Sequence, residues 1–151
     1  MHGPAIKSVE AAAKTVGIDV QHVKIQVPAD LDDALLTITN RRESVLVLED
    51  AVINICSTQL AHAATKHRFP TIFGLSMFVE AGGLMAYGPN RPEMWRRAAT
   101  FVHKIRSGAK PGELPVEQPV RFDLVINVKT AQGLRLMIPP SLLLRADQVI
   151  E

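Results

Sequence analysis

Apolar positions along this chain recur with two different periods, and the periods trade places several times. Ile6, Val9, Ala13 and Val16 follow one another at three- and four-residue steps, with Lys7, Glu10 and Lys14 opposite. That spacing predicts an amphipathic helix, and Gly17 ends it. Val23, Ile25 and Val27 alternate with Lys24 and Gln26, which predicts a strand with one wetter face, stopped by Pro28. Asp30 is placed to cap a second helix, whose positive end suits Asp32 and Asp33. Leu31, Ala34, Leu35 and Ile38 supply its buried stripe.

Ser44 to Leu48 is a short apolar run, as in a strand covered on both faces, and Glu49 and Asp50 follow it directly. A helix is predicted from about Asn54 to His67, a buried strand over Pro70 to Phe73, and a short helix over Ser76 to Glu80. After Gly82-Gly83, Leu84 to Tyr87 is expected as a strand. A long helix from about Pro92 to Arg106 carries the stripe Met94, Trp95, Ala98, Phe101, Val102 and Ile105. The Pro- and Gly-rich stretch from Ala109 to Pro119 is the one credible linker. Val120, Phe122, Leu124 and Ile126 alternate as a further strand, and short helices from about Lys129 and after Pro139-Pro140 finish the pattern. Strand and helix in this order predict an α/β fold: three layers, a mainly parallel sheet with helices on both faces.

Composition narrows the class. With 151 residues there is room for one well-buried core, and 47% apolar against 21% charged residues is globular rather than disordered. No span approaches the roughly 18 apolar residues of a transmembrane helix. The lone cysteine, Cys56, excludes an intrachain disulfide. Met1 to Lys14 has no apolar run and is not a signal peptide, which predicts a cytoplasmic location if Met1 is the native start. A net charge of +2 does not argue for nucleic acid. The basic cluster Arg91, Arg96, Arg97, Lys104, Arg106 and Lys110 reads as a solvated helix face, because Trp95 and Phe101 lie on the other side.

Open parallel sheets bind ligands beyond the carboxyl ends of their strands. The residues there are Glu49 and Asp50, Gly74 to Ser76, and Tyr87 with Gly88. An acid, two glycines that permit close backbone approach and a phenol suit a small polar or zwitterionic ligand. The competing reading is that Asp50 caps a helix and Tyr87 is a boundary residue. Dinucleotide, phosphate-loop and nucleophile-elbow motifs are absent. Cys56 and His62 are six apart and do not share a helical face. His62 and His67 are five apart, not the four of a helical zinc pair, and His2, His22 and His103 are scattered. No enzyme activity, cofactor or metal is expected.

Several stretches together are specific. They are Phe78 to Pro89 (FVEAGGLMAYGP), Arg96 to Ala99, Gly108 to Pro111, Leu114 to Pro119, Leu124 to Asn127, and Ile138 to Asp147 (IPPSLLLRAD). Together they resemble the C-terminal half of the ABC-transporter substrate-binding family of the tryptophan-binding-protein type. The resemblance implies part of a type I periplasmic-binding-protein fold: two α/β lobes, a hinge and a cleft that holds a solute for a membrane permease, without catalysis. Characterised relatives bind aromatic amino acids. The resemblance puts the family's acidic residue on Asp50 and its cleft loop near Gly74, Leu75 and Ser76. Its hinge strand ends near Tyr87 and Gly88, and its second crossing lies near Pro119 to Phe122. The run Asp50-Ala51-Val52-Ile53-Asn54 departs from the Asp-Pro-Leu-Phe-like or Asp-Asn-like segments of many members.

The resemblance also implies a division of the chain. Residues 1–90 would be an incomplete second lobe. Residues 91–118 would be the long helix and linker that return to a first lobe, and 119–151 the crossing strand and last helices. It implies a periplasmic location. Half a clamp holds about half the contacts of a whole one, and a long helix without its usual core favours a homodimer. The alternative function is a small α/β interaction module that dimerises and binds no solute.

Overall fold

The structure, a computed structural model, describes residues 3–38 and 44–151. His2 lies outside them. Eight helices and five strands are formed among the described residues: α1 (Gly3–Thr15), α2 (Leu31–Leu36), β1 (Val45–Val47), α3 (Ala51–Ile55), α4 (Ser57–His67), β2 (Thr71–Phe73), α5 (Ser76–Glu80), β3 (Met85–Pro89), α6 (Arg91–Arg106), β4 (Phe122–Asn127), α7 (Val128–Gly133), α8 (Pro140–Leu143) and β5 (Gln148–Ile150). The strands form one sheet in the order β1-β2-β3-β4-β5. Neighbours run parallel except β3 and β4, which are antiparallel. The fold is mixed α/β with a mostly parallel sheet.

Side chains alternate across the sheet, and the register assigns them to faces. Val45, Val47, Phe73, Ala86 and Val125 share one face. They pack with Leu31, Leu35, Ile53, Leu60, Phe78 and Val79 from α2 to α5 into the main core. The Phe73 and Phe78 rings stack at 4.6 Å between centroids, and both side chains are almost wholly buried. The other face carries Leu46, Ile72, Met85, Tyr87, Leu124 and Val149. Ile126 is fully buried there, but Leu46, Tyr87 and Val149 are exposed. Helices thus cover one face well and the other in part.

Several sequence expectations are corrected. Residues 23–27 do not enter the sheet. Of the alternating apolar side chains only Ile25 is partly buried, Val23 and Val27 are exposed, and without a neighbouring strand no ladder forms. The expected helix from Asn54 to His67 is two helices, broken at Cys56, and the first starts earlier because the Asp50 carboxylate accepts a hydrogen bond from Val52 N at 3.0 Å. The chain also ends on a strand, β5, rather than a helix. Asp30 acts differently as well. Its side chain makes no cap bond to α2 and instead accepts from the backbone N–H groups of Gln26 and Val27, which holds its carboxyl below the usual range.

Helix α6 stands apart from the core. Pro92 sits in its first turn, Asn90 caps it by accepting from Glu93 N at 2.8 Å, and Gly108 closes it with φ +100°. None of its residues is buried. Trp95 is 73% exposed, and Met94, Val102 and Ile105 are exposed with it. On its polar side Arg97 pairs with Glu117, tying the following linker to the helix. The hydrogen bond from Arg97 holds the Glu117 carboxyl below its ordinary range. No described helix is long and apolar enough to cross a membrane.

Candidate functional site

A cavity of about 100 Å³ opens at the carboxyl end of β2 and β3. Because β4 runs antiparallel to β3, its amino end lies at the same edge, with Asp123 opposite Gly88. The β2–α5 loop supplies Gly74, Leu75, Ser76 and Met77. Strand β3 supplies Ala86, Gly88 and Pro89, α6 supplies Arg91 and Pro92, and β4 supplies Asp123 and Val125. The cavity is smaller than the roughly 300–1,000 Å³ of a complete small-molecule pocket. The segments around it form its wall.

Two glycines bring this wall together. A Cβ on Gly88 would fall on the carbonyl group of Gly74, nearer than any non-bonded contact allows, so β3 approaches the β2–α5 loop at backbone distance only with glycine here. A Cβ on Gly74 would meet the Glu49 carboxylate. Glu49 in turn faces Arg91, with Oε2 3.6 Å from Nη2.

A polar network ties the cavity to the start of α6. Asn90 donates from Nδ2 to Asp123 Oδ2 at 2.6 Å, and its backbone N–H donates to the Arg121 carbonyl at 3.0 Å. Arg121 Nε lies 3.3 Å from Asp123 Oδ1, and Arg121 Nη1 lies 4.0 Å from Glu93. Asp123 Oδ1 is shielded from solvent yet accepts no hydrogen bond, because the Arg121 N–H is not aligned on it.

Of the residues expected at a ligand site, Gly74, Leu75 and Ser76 line this cavity together. Asp50 does not line it and caps α3. Tyr87 lies on the other sheet face, 57% exposed and stacked on Phe122 at 5.7 Å. Sequence reasoning missed Asp123 and Arg91. The signal for Asp123 was the alternation of β4 itself, which places a carboxylate in the same row as buried Val125. No group of three or more potential metal-ligating side chains occurs among the described residues.

Comparison with known proteins adds the family. The family model described as ABC transporter substrate binding protein matches residues 3–150. No curated protein matches significantly. Among solved structures, a conserved domain protein from Vibrio cholerae is 25% identical, with a TM-score of 0.88 over 97% of this chain and 49% of that one. An ABC domain from Streptococcus pneumonia, solved in complex with L-Trp, is 24% identical, with a TM-score of 0.89 over 98% of this chain and 50% of that one. A ligand-free, open substrate-binding protein with adhesive properties from Clostridium difficile is 19% identical, with a TM-score of 0.69 over 96% of this chain and 48% of that one. The chain spans about half the length of each of these structures.

Proposed function

Because the chain belongs to the ABC transporter substrate-binding protein family, we propose that it is a solute-binding unit of an uptake transporter, working outside the cytoplasm. It presents one wall of a cleft to a small molecule, passes it to a permease and does no chemistry. The observation that carries this reading is the cavity at the carboxyl edge of the sheet, where two glycines let β3 and the β2–α5 loop close up at backbone distance and the charged groups Arg91 and Asp123 line the opening. The similarity to a domain solved with L-Trp supports an amino acid, and an aromatic one first, as the solute.

Thermal unfolding of the full chain against a panel of amino acids tests this. A solute at ten times its dissociation constant stabilises the folded state by RT ln 11, about 1.4 kcal/mol. For a chain of this size that is roughly 3–6 °C in Tm. An increase with aromatic amino acids is expected; no increase with any amino acid at tens of millimolar contradicts the amino-acid reading.

The uncovered stripe of α6 favours a second element of the proposal, a homodimer. Met94, Trp95, Val102 and Ile105 form an apolar row on a helix with no buried residue, and such a row is removed from water by association. Light scattering at micromolar concentration is expected to give twice the chain mass. A monodisperse monomer removes dimerisation from the account and leaves the solute site standing.

A further inference from the structure

We infer that Asp123 is the residue that recognises a primary ammonium group on the solute, with Arg121 as an internal cation that the ammonium displaces. This rests on the proposed solute-binding role and adds the chemical group that the site selects. Asp123 Oδ2 is committed to Asn90 through a 2.6 Å hydrogen bond, but Oδ1 is shielded from solvent and accepts none. A buried carboxylate oxygen without a donor is costly, and a charged donor relieves most of that cost.

The cation already nearby does not supply that donor. Arg121 Nε is 3.3 Å from Oδ1 without donating to it, its side chain is more than half exposed, and it also faces Glu93 at 4.0 Å. It neutralises charge at a distance and has a second carboxylate to move toward. Asp123 lines the cavity, opposite Gly88 on the neighbouring strand. An ammonium has three donors on a compact head and can meet Oδ1 in an alignment that the Arg121 guanidinium does not reach. Arg91, which lines the same cavity at the start of α6 and faces Glu49 at 3.6 Å, is the cation placed to meet the carboxylate of a zwitterion.

The test compares L-tryptophan with 3-indolepropionate, which keeps the carboxylate and indole and lacks the ammonium. Affinities are read from amide chemical shifts of the full chain, so that millimolar binding is measurable. The wild type is expected to prefer tryptophan at least tenfold. Asp123→Asn keeps the size and the contact to Asn90 and is expected to reduce that preference below threefold. Arg121→Gln removes the competing cation and is expected to tighten tryptophan binding about threefold. A purely structural Asp123–Arg121 pair predicts weaker binding in both variants, so the opposite signs separate the two roles.

Equal affinity of the wild type for the two compounds overturns the inference, as does tryptophan preference retained in Asp123→Asn; in either case the solute-binding role stands. If no amino acid binds but tryptamine does, and Asp123→Asn loses it, the amino-acid reading fails and the inference survives. Binding of none of the three compounds overturns both.

Discussion

Phe78→Ala is expected to lower the stability of the folded chain by about 3–5 kcal/mol, the range for truncating a buried phenylalanine. Phe78 is 1% exposed and stacks on Phe73, itself 1% exposed, at an interplanar angle of 9°. It is the residue through which α5 grips the sheet. The short helix packs against β2, β3 and β4, and Phe78 joins Val79 in filling the space above Ala86 and Val125. Phe73, its stacking partner, is fixed by its own strand with Gly83 against its ring. At about 2–4 °C per kcal/mol for a chain of this size, the melting temperature should fall by at least 6 °C. Thermal unfolding followed by circular dichroism reads it. Val116→Ala, at a side chain 99% exposed, should change stability by no more than about 0.5 kcal/mol. Equal effects of the two substitutions would mean that the core lies elsewhere.

Gly88→Ala is expected to act on the site more than on the core. The added methyl meets backbone, the Gly74 carbonyl group, and backbone cannot rotate away as a side chain does. Strand β3 must therefore part from the β2–α5 loop, at a cost of about 1–3 kcal/mol for overpacking. The cavity is built from those two segments, so solute binding should weaken at least tenfold while the chain remains folded. Gly74→Ala offers a graded comparison. Its methyl meets the Glu49 carboxylate, the end of a flexible side chain, and a smaller loss is expected. Titration of both variants with L-tryptophan gives the order directly, and a larger loss in Gly74→Ala would contradict this geometry.

How far the sequence disclosed this structure depended on what each residue pattern reports. The short apolar runs at β1 and β2 were legible as strands, but β1 lies at the end of the strand order with Leu46 exposed, so it is not covered on both faces as the run suggested. The alternation at 23–27 was equally clear but misleading: Val23 and Val27 are exposed, and a strand needs a neighbour to pair with. Strand β5 is three residues long, too short for any period to show. For the candidate site, the rule that ligands sit beyond strand ends pointed to Gly74, Leu75 and Ser76, which line the cavity. It could not find Asp123, which begins a strand rather than following one and reaches the same edge only because β4 runs antiparallel to β3. Arg91 looked like one more cation of a solvated helix face, and only the pairing with Glu49 and its place at the cavity distinguish it. Asp50 and Tyr87 have the right chemistry at the right strand ends. A helix cap engages the first and the opposite sheet face carries the second.

The central claim is that a solute meets this chain at the carboxyl edge of its sheet. Amide chemical shifts of the wild type titrated with L-tryptophan locate the contact most directly. The account predicts movements concentrated at Gly74, Leu75, Ser76, Gly88 and Asp123, and greatly reduced in Gly88→Ala. Movements confined to Tyr87, Phe122 and the apolar stripe of α6, or none at saturating solute, would contradict it.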